Sequence, residues 1–366
     1  MLIGIDASRA ARAERTGTEA YAFHLIRAML DTAPQHRFRL YSDRLLPREF
    51  GTPNAEPCVM PFPRLWTHVR LAAEMLTRPP DVLFVPAHVV PLIHPRTVVT
   101  IHDLGYLYFP QAHPTLARVY LDLSTRWSVR AAAHVMADSR ATQDDLVRHY
   151  HAPPEKITVA YPGRDENLRR VDNVPVVEVI KHRYGIPGEY FLYLGTLQPR
   201  KNLLRLVRAF ASFKLQISNF KLVLAGGKGW LCDEILAEVK RLGLEGHMVL
   251  TGRVTEDDKA ALLSGAMALV FPSLYEGFGL PVIEAMQCGA PVICSNTSSL
   301  PEAAGGAALL VDPLDIDALA RAMLQLVEDA DLRHTLIKRG FLQAQKFSWP
   351  SCASAVLSVL ESVAKT

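Results

Sequence analysis

Two acidic residues bracket a glycine-containing turn in the segment Phe271–Gly289. Glu276 and Glu284 have seven residues between them, including Gly277-Phe278-Gly279-Leu280. Glycines allow the backbone to approach a ligand closely, and the start of the helix predicted to follow favours an anion such as a diphosphate. Carboxylates accept hydrogen bonds from hydroxyl groups, so both glutamates could hold a polyhydroxylated ligand. We expect Glu284 to lie in the first turn of that helix. The alternative is that Glu284 only complements the helix N-terminus and Glu276 is solvated.

A basic pair occupies another predicted strand-to-helix turn. Arg200 and Lys201 follow the apolar run Tyr190–Leu194 and precede a helical pattern. Adjacent cations at such a turn are suited to neutralising a diphosphate leaving group, and a solvated basic turn is the alternative. The glycines in Gly226-Gly227-Lys228-Gly229 and beside Arg253 are weak signals, because many strand-to-helix turns use glycine.

A histidine follows a buried strand in the first half of the chain. His102 and Asp103 end the run that begins at Val98, which would let them reach a ligand at the strand's carboxyl end. A lone histidine at such a place is more often structural, so the residue type alone leaves both interpretations open.

Short apolar runs alternate with helical patterns along the whole chain. Most runs are continuously apolar, as expected for strands buried on both faces of a parallel sheet. The alternation predicts an α/β fold of two doubly wound domains. The predicted strands are Leu2–Asp6, Phe38–Ser42, Val82–Pro86, Val98–His102, His134–Ala137, Ile157–Ala160, Tyr190–Leu194, Lys221–Ala225, Met248–Thr251, Ala268–Phe271, Pro291–Cys294 and Ala308–Val311. Predicted helices include Ala20–Asp31, Pro114–Ala133, Arg140–Tyr150, Leu203–Leu215, Cys232–Leu242 and Ile316–Asp329.

Proline, glycine and charged residues interrupt this alternation over Tyr161–Gly188, which predicts a domain linker. We expect residues 1–170 and 171–349 to form the two domains, with a helix over 350–366 packing back on the first. In open α/β sheets ligands bind at the carboxyl ends of the strands. Two such domains facing each other would place the site in the cleft between them.

The bulk composition is that of an ordinary globular protein. The chain has 366 residues, 49% of them hydrophobic and 21% charged, with a formal net charge of +3. Nothing in that charge calls for nucleic acid. Residues 1–170 contain 21 Lys and Arg against 17 Asp and Glu, which fits an anionic substrate, an anionic membrane or simply a solvated surface.

Five scattered cysteines without a C-x-x-C pair argue against a disulfide framework or a zinc site, so a reducing cytosol fits best. The apolar run that follows Met1 lacks the basic region of a signal peptide. We also see no apolar run near the ~18 residues that span a bilayer.

The motifs together resemble glycosyltransferase family 4, the large family of retaining GT-B enzymes, over essentially the whole chain. The resemblance is strongest over Tyr190–Pro313. There, Thr251-Gly252-Arg253 is followed by the segment from Pro272 to Ile293, then by Ser299-Leu-Pro-Glu302 and by Leu310-Val-Asp312-Pro313. It implies two facing Rossmann-like domains, an acceptor-side domain at the N-terminus and a donor-binding domain at the C-terminus.

The resemblance assigns donor-side roles. Arg200 and Lys201 match the pair that holds the donor diphosphate. Glu276 matches an acidic residue near the donor sugar and the reacting carbon, and Glu284 matches the residue that binds the ribose hydroxyls. The backbone of Phe278-Gly279-Leu280 matches the turn that meets sugar hydroxyls and phosphate.

Further matches concern the nucleobase and the first domain. Arg253 and Val254 match the region that borders the base, and the residue at His102 contacts the donor sugar in the family. The segment Arg15–Tyr21 resembles a glycine loop near the diphosphate, with Gly17 as its glycine. Relatives often carry two glycines in this loop, whereas this chain has Thr18 after the first.

The family pattern implies retaining transfer without a metal ion or other cofactor, from a nucleotide-diphosphate sugar to a glycan or lipid-linked glycan. Asp315 and Asp317, at a predicted helix start, are interpreted as capping residues. Because the pattern is most similar to bacterial mannosyltransferases of surface polysaccharide synthesis, the favoured donor is GDP-mannose. A sugar-nucleotide epimerase or hydrolase on the same fold and a catalytically silent binding subunit are the alternatives.

The segment Arg64–Thr77 has the pattern of an amphipathic helix with Trp66 and cationic edges. One hypothesis is that it docks at the cytoplasmic face of a membrane. The other is an ordinary helix packed on the sheet.

Overall fold

The chain divides into two units. The computed structural model describes residues 1–13, 17–112, 114–227, 229 and 232–365. The first unit is Met1–Gly163 with Phe347–Thr366, and the second is Arg164–Lys346. Both divisions fall a few residues before the boundaries expected from the sequence.

Across the described residues, the first unit contains a seven-stranded parallel sheet. Its strands are β1 (Leu2–Asp6), β2 (Arg37–Ser42), β3 (Ala55–Val59), β4 (Val82–Val85), β5 (Thr97–Ile101), β6 (His134–Ala137) and β7 (Ile157–Val159). They lie in the order β3-β2-β1-β4-β5-β6-β7. Its helices before the second unit are α1 (Gly17–Thr32), α2 (Ala72–Thr77), α3 (Gly105–Tyr108), α4 (Thr115–Ala131) and α5 (Arg140–Tyr150). Short turns of other helical types occur at Arg48–Phe50, Thr67–Leu71, Pro110–Ala112 and Pro154–Lys156.

The second unit contains a six-stranded parallel sheet over the residues described. Its strands are β8 (Glu189–Leu194), β9 (Phe220–Ala225), β10 (Met248–Gly252), β11 (Ala268–Phe271), β12 (Val292–Ser295) and β13 (Leu309–Val311). They lie in the order β10-β9-β8-β11-β12-β13. Its helices are α6 (Val174–Arg183), α7 (Leu203–Lys214), α8 (Cys232–Arg241), α9 (Glu256–Ser264), α10 (Leu280–Gln287), α11 (Leu300–Ala304), α12 (Ile316–Glu328) and α13 (Ala330–Ala344). Two short 3₁₀ turns lie at Pro199–Lys201 and Glu245–His247.

The last helix, α14 (Trp349–Lys365), returns to the first unit. Its apolar side, including Trp349, Val356 and Leu360, joins the core formed by β1 and α1. The first and last described elements, β1 and α14, therefore belong to the same unit.

The two strand orders confirm the predicted doubly wound α/β class. In each sheet the order reverses once, between β1 and β4 in the first unit and between β8 and β11 in the second. The carboxyl ends at such a reversal form the crevice where doubly wound folds bind ligands. In the second unit, the loops after β8 and β11 carry the predicted site residues Arg200, Lys201 and Glu276.

Two elements differ from the sequence-based expectations. Strand β3 was not predicted, because it is a partly exposed edge strand that pairs only with β2 and contains Pro57. Proline is tolerated at a sheet edge but removes the apolar pattern used to recognise a strand. The predicted linker Tyr161–Gly188 is also wrong over much of its length, since α6 lies inside it and packs against α9 of the second unit.

Candidate functional site

Two loops meet at the strand-order reversal of the second sheet. Strands β8 and β11 are parallel neighbours, with Phe191 opposite Ala268 and Leu192 opposite Leu269. The loop after β8 forms the 3₁₀ turn Pro199–Lys201 before α7 begins, and the loop after β11 runs to the start of α10. Because both strands end at the same edge, residues that lie far apart in sequence face each other here.

The first pair brought together is Lys201 and Glu276. The Nζ of Lys201 lies 2.5 Å from Oε1 of Glu276, and Nη1 of Arg200 lies 3.7 Å from Oε2. The side chains of Lys201 and Glu276 are 9% and 8% exposed. Burial by itself would raise the pKa of Glu276, but the charges of Lys201 and Arg200 hold it below its ordinary value. Glu276 is therefore a buried, ionised carboxylate beside two cationic side chains.

Main-chain contacts join the same two loops. The backbone N–H of Leu274 donates to the carbonyl of Arg200 at 2.8 Å, and the Arg200 guanidinium donates to the carbonyl of Tyr275 at 3.2 Å. The side-chain amide of Asn202 donates to the carbonyls of Pro272 and Pro313 at 3.1 and 2.7 Å. Asn202 has φ 62°, a left-handed conformation that asparagine tolerates better than most residues.

The other side of Glu276 is held by Ser298 and Ser299. Ser299 begins one of the family motifs, but the sequence indicated no role at the site for either residue. The backbone N–H of Glu276 donates to Oγ of Ser298 at 3.0 Å, and the Ser299 hydroxyl donates to the carbonyl of Glu276 at 3.0 Å. Ser298 itself has φ 51°. The left-handed serine could not be recognised from sequence, because serine carries no strong preference for that conformation.

The turn between the two acidic residues places backbone at the start of α10. Gly279 is the N-cap residue with φ 104°, a left-handed conformation that favours glycine,, and an added Cβ would lie 2.6 Å from Cδ2 of Leu300. Phe278 is buried, which leaves backbone rather than its ring to meet a ligand. Gly279 has no side chain that could cap the helix, so an anion can take that place beside Leu280.

Glu284 lies in the second turn of α10, which corrects the expected first-turn placement. Its Oε1 is 2.8 Å from Nζ of Lys259, which also lies 2.6 Å from Oε2 of Glu256. Burial would lower the pKa of Lys259, but the two carboxylates raise it. Glu284 therefore forms an ion pair with α9 and does not complement the N-terminus of α10. Lys259 is a further residue that the sequence did not identify.

Arg253 and Val254 follow β10 and lead directly into α9. Thr255 caps that helix by accepting the N–H of Asp258 at 3.2 Å. The Arg253 side chain lies against Gly227, where an added Cβ would be 3.5 Å from its Nε. Helix α9 therefore connects the residues predicted to border the base with Lys259, the partner of Glu284.

In the first unit, His102 forms a buried pair with Asp138. The two residues follow neighbouring strands, with Ile101 opposite Ala137, and Nδ1 of His102 lies 2.7 Å from Oδ2 of Asp138. Its Nε2 lies 2.9 Å from the carbonyl of Pro86. Burial alone would lower the pKa of His102, but Asp138 raises it.

Both partners of the His102 ring are hydrogen-bond acceptors, so the arrangement suits a ring with both nitrogens protonated. The neighbouring His88 supports this state. Its Nε2 accepts the backbone N–H of His102 at 3.3 Å, and burial together with the His102 charge lowers its pKa to about 4. A ligand that reached a ring nitrogen of His102 would have to replace one of these existing partners.

The remaining sequence-based residues are placed as follows. Gly17 is the first residue of α1 in the first unit. Arg15 and Lys228 lie outside the described residues. Asp315 caps α12 by accepting the N–H of Ala318 at 2.8 Å, so its predicted capping role is confirmed.

Comparisons with known proteins divide along the same two units. The family described as Glycosyltransferase Family 4 matches residues 15–168, and that described as Glycosyl transferases group 1 matches residues 178–343. The chain is 34% identical over 267 residues to the O-antigen chain mannosyltransferase B of Escherichia coli, covering 72% of this chain and 69% of that protein.

A second relative and a solved structure extend the comparison. The serotype-specific mannosyltransferase WbdA of Escherichia coli is 29% identical over 276 residues, which is 74% of this chain but 33% of that protein. The sucrose-phosphate synthase of Thermosynechococcus elongatus has a TM-score of 0.78 at 21% identity, covering 99% of this chain and 98% of that one. At this identity the similarity establishes the fold.

Proposed function

The chain belongs to glycosyltransferase family 4 and is a glycosyltransferase, and we propose that it transfers mannose from GDP-mannose to a hydroxyl of a glycan or lipid-linked glycan, with retention of configuration. The observation that carries the proposal is the cluster of half-buried Arg200 with buried Lys201 and Glu276 at the strand-order reversal of the second unit. Support for mannose comes from the names of the two Escherichia coli relatives.

The donor diphosphate would lie between the basic pair and the start of α10. Phosphate oxygens would contact Lys201 and Arg200, which also contact Glu276. The N-terminus of α10 would add partial positive charge. These groups are already held by the loop contacts, so little reorganisation would be needed as charge develops on the leaving diphosphate. The transfer then requires no metal ion to neutralise that charge.

The sugar and nucleoside would extend to either side of the diphosphate. Glu276 and the backbone of Phe278, Gly279 and Leu280 would meet the sugar hydroxyls. Glu284, which forms an ion pair with Lys259, would accept hydrogen bonds from the ribose hydroxyls,. The base would lie beside Arg253 and Val254.

We further propose that retention arises from attack of the acceptor hydroxyl on the same face of the sugar from which the diphosphate leaves. Glu276 would stand beside the reacting carbon and receive support from the cationic pair. His102 would contact the donor sugar, and Gly17 the diphosphate, as in the family. Contact through the His102 ring would require exchange of the Pro86 or Asp138 hydrogen bond.

The direct test is a donor screen with the purified chain. GDP-mannose, UDP-glucose and other nucleotide sugars are each incubated with and without mannose-containing glycan acceptors, with and without EDTA. We expect acceptor-dependent release of GDP from GDP-mannose, insensitive to EDTA, and an α-linked product by NMR. Preference for another donor, a β-linked product, or equal turnover without acceptor would contradict the proposal.

We also propose that the enzyme acts in the cytoplasm, at the inner face of a membrane when its acceptor is lipid-linked. Among the described residues, none of the helices combines the length and the apolar character needed to cross a bilayer.

A further inference from the structure

Helix α4 exposes its apolar side and buries a largely polar one. Leu116 is 86% exposed and Leu123 58% exposed, and the exposed apolar side chains recur at helical spacing, so they line one side of the helix. They are Leu116, Val119, Tyr120, Leu123 and Trp127. The opposite side packs on the unit through Ser124, Thr125, Ser128 and Val129. This is the reverse of an ordinary surface helix.

Neighbouring segments extend this apolar surface. The ring of His68, in the turn before α2, lies 3.0 Å from the Tyr120 hydroxyl. The Trp127 indole N–H donates to the carbonyl of Val90 at 3.2 Å. Exposed apolar side chains lie near these contact points in the sequence: Leu65 and Val69 beside His68, and Leu92 and Ile93 beside Val90. We call these four together with the five exposed residues of α4 the α4 face.

The two segments that contribute most of the α4 face, 64–78 and 115–131, contain six arginines and two acidic residues, and both acidic residues are paired. Glu74 lies 3.2 Å from Arg70 and 2.8 Å from Arg78. Asp122 accepts the hydroxyl of Tyr150 at 2.7 Å and lies 3.6 Å from Arg126. The remaining arginines of the two segments are Arg64, Arg118 and Arg130. These two segments therefore carry a net positive charge.

We propose that the α4 face binds the surface of an anionic phospholipid bilayer. Exposed apolar side chains on arginine-rich segments match the two layers of such a surface, acyl chains below and phosphate headgroups above. Tyrosine and tryptophan are suited to the boundary between them. The proposal rests on the proposed function, since a lipid-linked acceptor would have to be met at a membrane.

This assignment corrects the sequence-based hypothesis in its details. Arg64–Thr77 forms a π-helical turn at Thr67–Leu71 followed by α2, and Trp66 is buried with its indole N–H donating to the carbonyl of Met60 at 2.8 Å. Trp66 is therefore a core residue. Trp127 on α4 is 39% exposed and available to lipid; the sequence predicted this helix but did not connect it with a membrane.

The test is co-flotation of the full chain with phosphatidylethanolamine–phosphatidylglycerol vesicles, compared with phosphatidylcholine vesicles. We expect binding to the anionic vesicles alone, falling with added salt. The double variant Leu116→Gln/Leu123→Gln should lower vesicle affinity about tenfold or more, because two apolar side chains no longer leave water. The matched control is Leu215→Gln/Leu342→Gln, which changes exposed leucines of the second unit.

Charge and apolar contributions are separated by a second pair of variants. Arg64→Gln/Arg130→Gln should weaken binding to anionic vesicles, whereas Arg339→Gln in α13 should not. The Trp127→Phe variant should abolish most of the lipid-induced blue shift of tryptophan fluorescence. Binding that is equal for all variants, or equal on neutral and anionic vesicles, would overturn the proposal.

Two further measurements test whether a second copy of the chain occupies the α4 face and whether the face affects the transfer reaction itself. Self-association without vesicles that is lost in Leu116→Gln/Leu123→Gln would assign the face to a second copy of the chain and reject the bilayer. Transfer to a water-soluble acceptor should be unchanged in all these variants. Loss of vesicle binding with normal soluble transfer therefore concerns the α4 face, whereas absence of transfer in the unmodified chain concerns the proposed function.

Discussion

The Nζ of Lys201 lies 2.5 Å from Oε1 of Glu276, and both side chains are buried. Two charges withdrawn from water are tolerated only when each compensates the other. The pair therefore fixes a cation and a carboxylate side by side in the free protein. A diphosphate and a sugar approaching this point would find both groups already oriented, which is the condition for strong electrostatic stabilisation of a transition state.

Replacing either member should sharply reduce transfer. We expect Lys201→Ala or Glu276→Ala to lower kcat/KM by about 10²-fold or more, as observed when one preorganised stabilising group is lost. Lys240→Ala, which changes an exposed lysine of α8, is the matched control and should retain normal rates. Near-normal turnover in both site variants would contradict the assignment. Steady-state assays with GDP-mannose make the measurement, and thermal unfolding identifies variants that fail to fold.

The ion pair also predicts a pH dependence of stability. The pKa of Glu276 is held below its ordinary value by Lys201 and Arg200, so its stabilising contribution is present above the unfolded-state pKa, near 4.3. It is lost as the pH falls through the folded-state pKa. Glu276→Gln should lower the free energy of unfolding at neutral pH by roughly 3–5 kcal/mol. Between neutral pH and pH ~3, the free energy of unfolding should then decrease less in this variant than in the wild type.

Urea unfolding at a series of pH values measures this effect. Glu328→Gln, at an exposed site in α12, is the control and should follow the wild-type profile. A Glu276→Gln profile parallel to that of the wild type would show that Glu276 contributes nothing through its charge.

Asp138 should determine the protonation of His102. Asp138 raises the pKa of that ring against the effect of burial. A raised histidine pKa stabilises the fold below the unfolded-state pKa, near 6.5, and this contribution is lost as the pH rises through the folded-state pKa. In Asp138→Asn, the pKa of His102 should fall, and the extra stability at acidic pH should disappear. NMR titration of the His102 imidazole measures the shift, with Asp144→Asn on the exposed side of α5 as control. An unchanged titration would reject the pairing.

Lys259 should act on nucleotide binding through Glu284. Its ammonium lies 2.8 Å from that carboxylate, so Lys259→Met should leave Glu284 without its buried partner. We expect the Kd for GDP to rise about tenfold, equivalent to ~1.4 kcal/mol, measured by calorimetry. Glu256→Gln removes the exposed partner of Lys259 and keeps the Glu284 contact, so it should have a smaller effect. Equal increases of the Kd for GDP in the two variants would show that Lys259 does not act on nucleotide binding through Glu284.

The fold was largely predictable because its signals are local. Continuous apolar runs such as Ala268–Phe271 mark strands buried on both faces, and the residue type and spacing of Arg200, Glu276 and Glu284 indicated an anion and hydroxyl site. The elements that escaped prediction lack local signals. Strand β3 is interrupted by Pro57 at a sheet edge, and α6 begins in a proline-containing segment that resembles a linker.

The partners of the site residues could not be predicted in this way. Asp138 lies 36 residues from His102, Lys259 lies 25 from Glu284, and Ser298 lies 22 from Glu276. Each pair is created by parallel strands or neighbouring helices that end side by side. A sequence pattern specifies the period of an element but not which distant residue comes to lie beside it.

The sequence by itself thus determined the two parallel α/β units and the residue types at the ends of β8 and β11, since both follow from hydrophobic period and turn chemistry. Only the tertiary structure decided that Lys201 neutralises Glu276 and that His102 is held by Asp138. It also decided that the apolar side of α4 faces solvent, because an amphipathic period indicates that a helix has two sides and only packing selects the side that is buried.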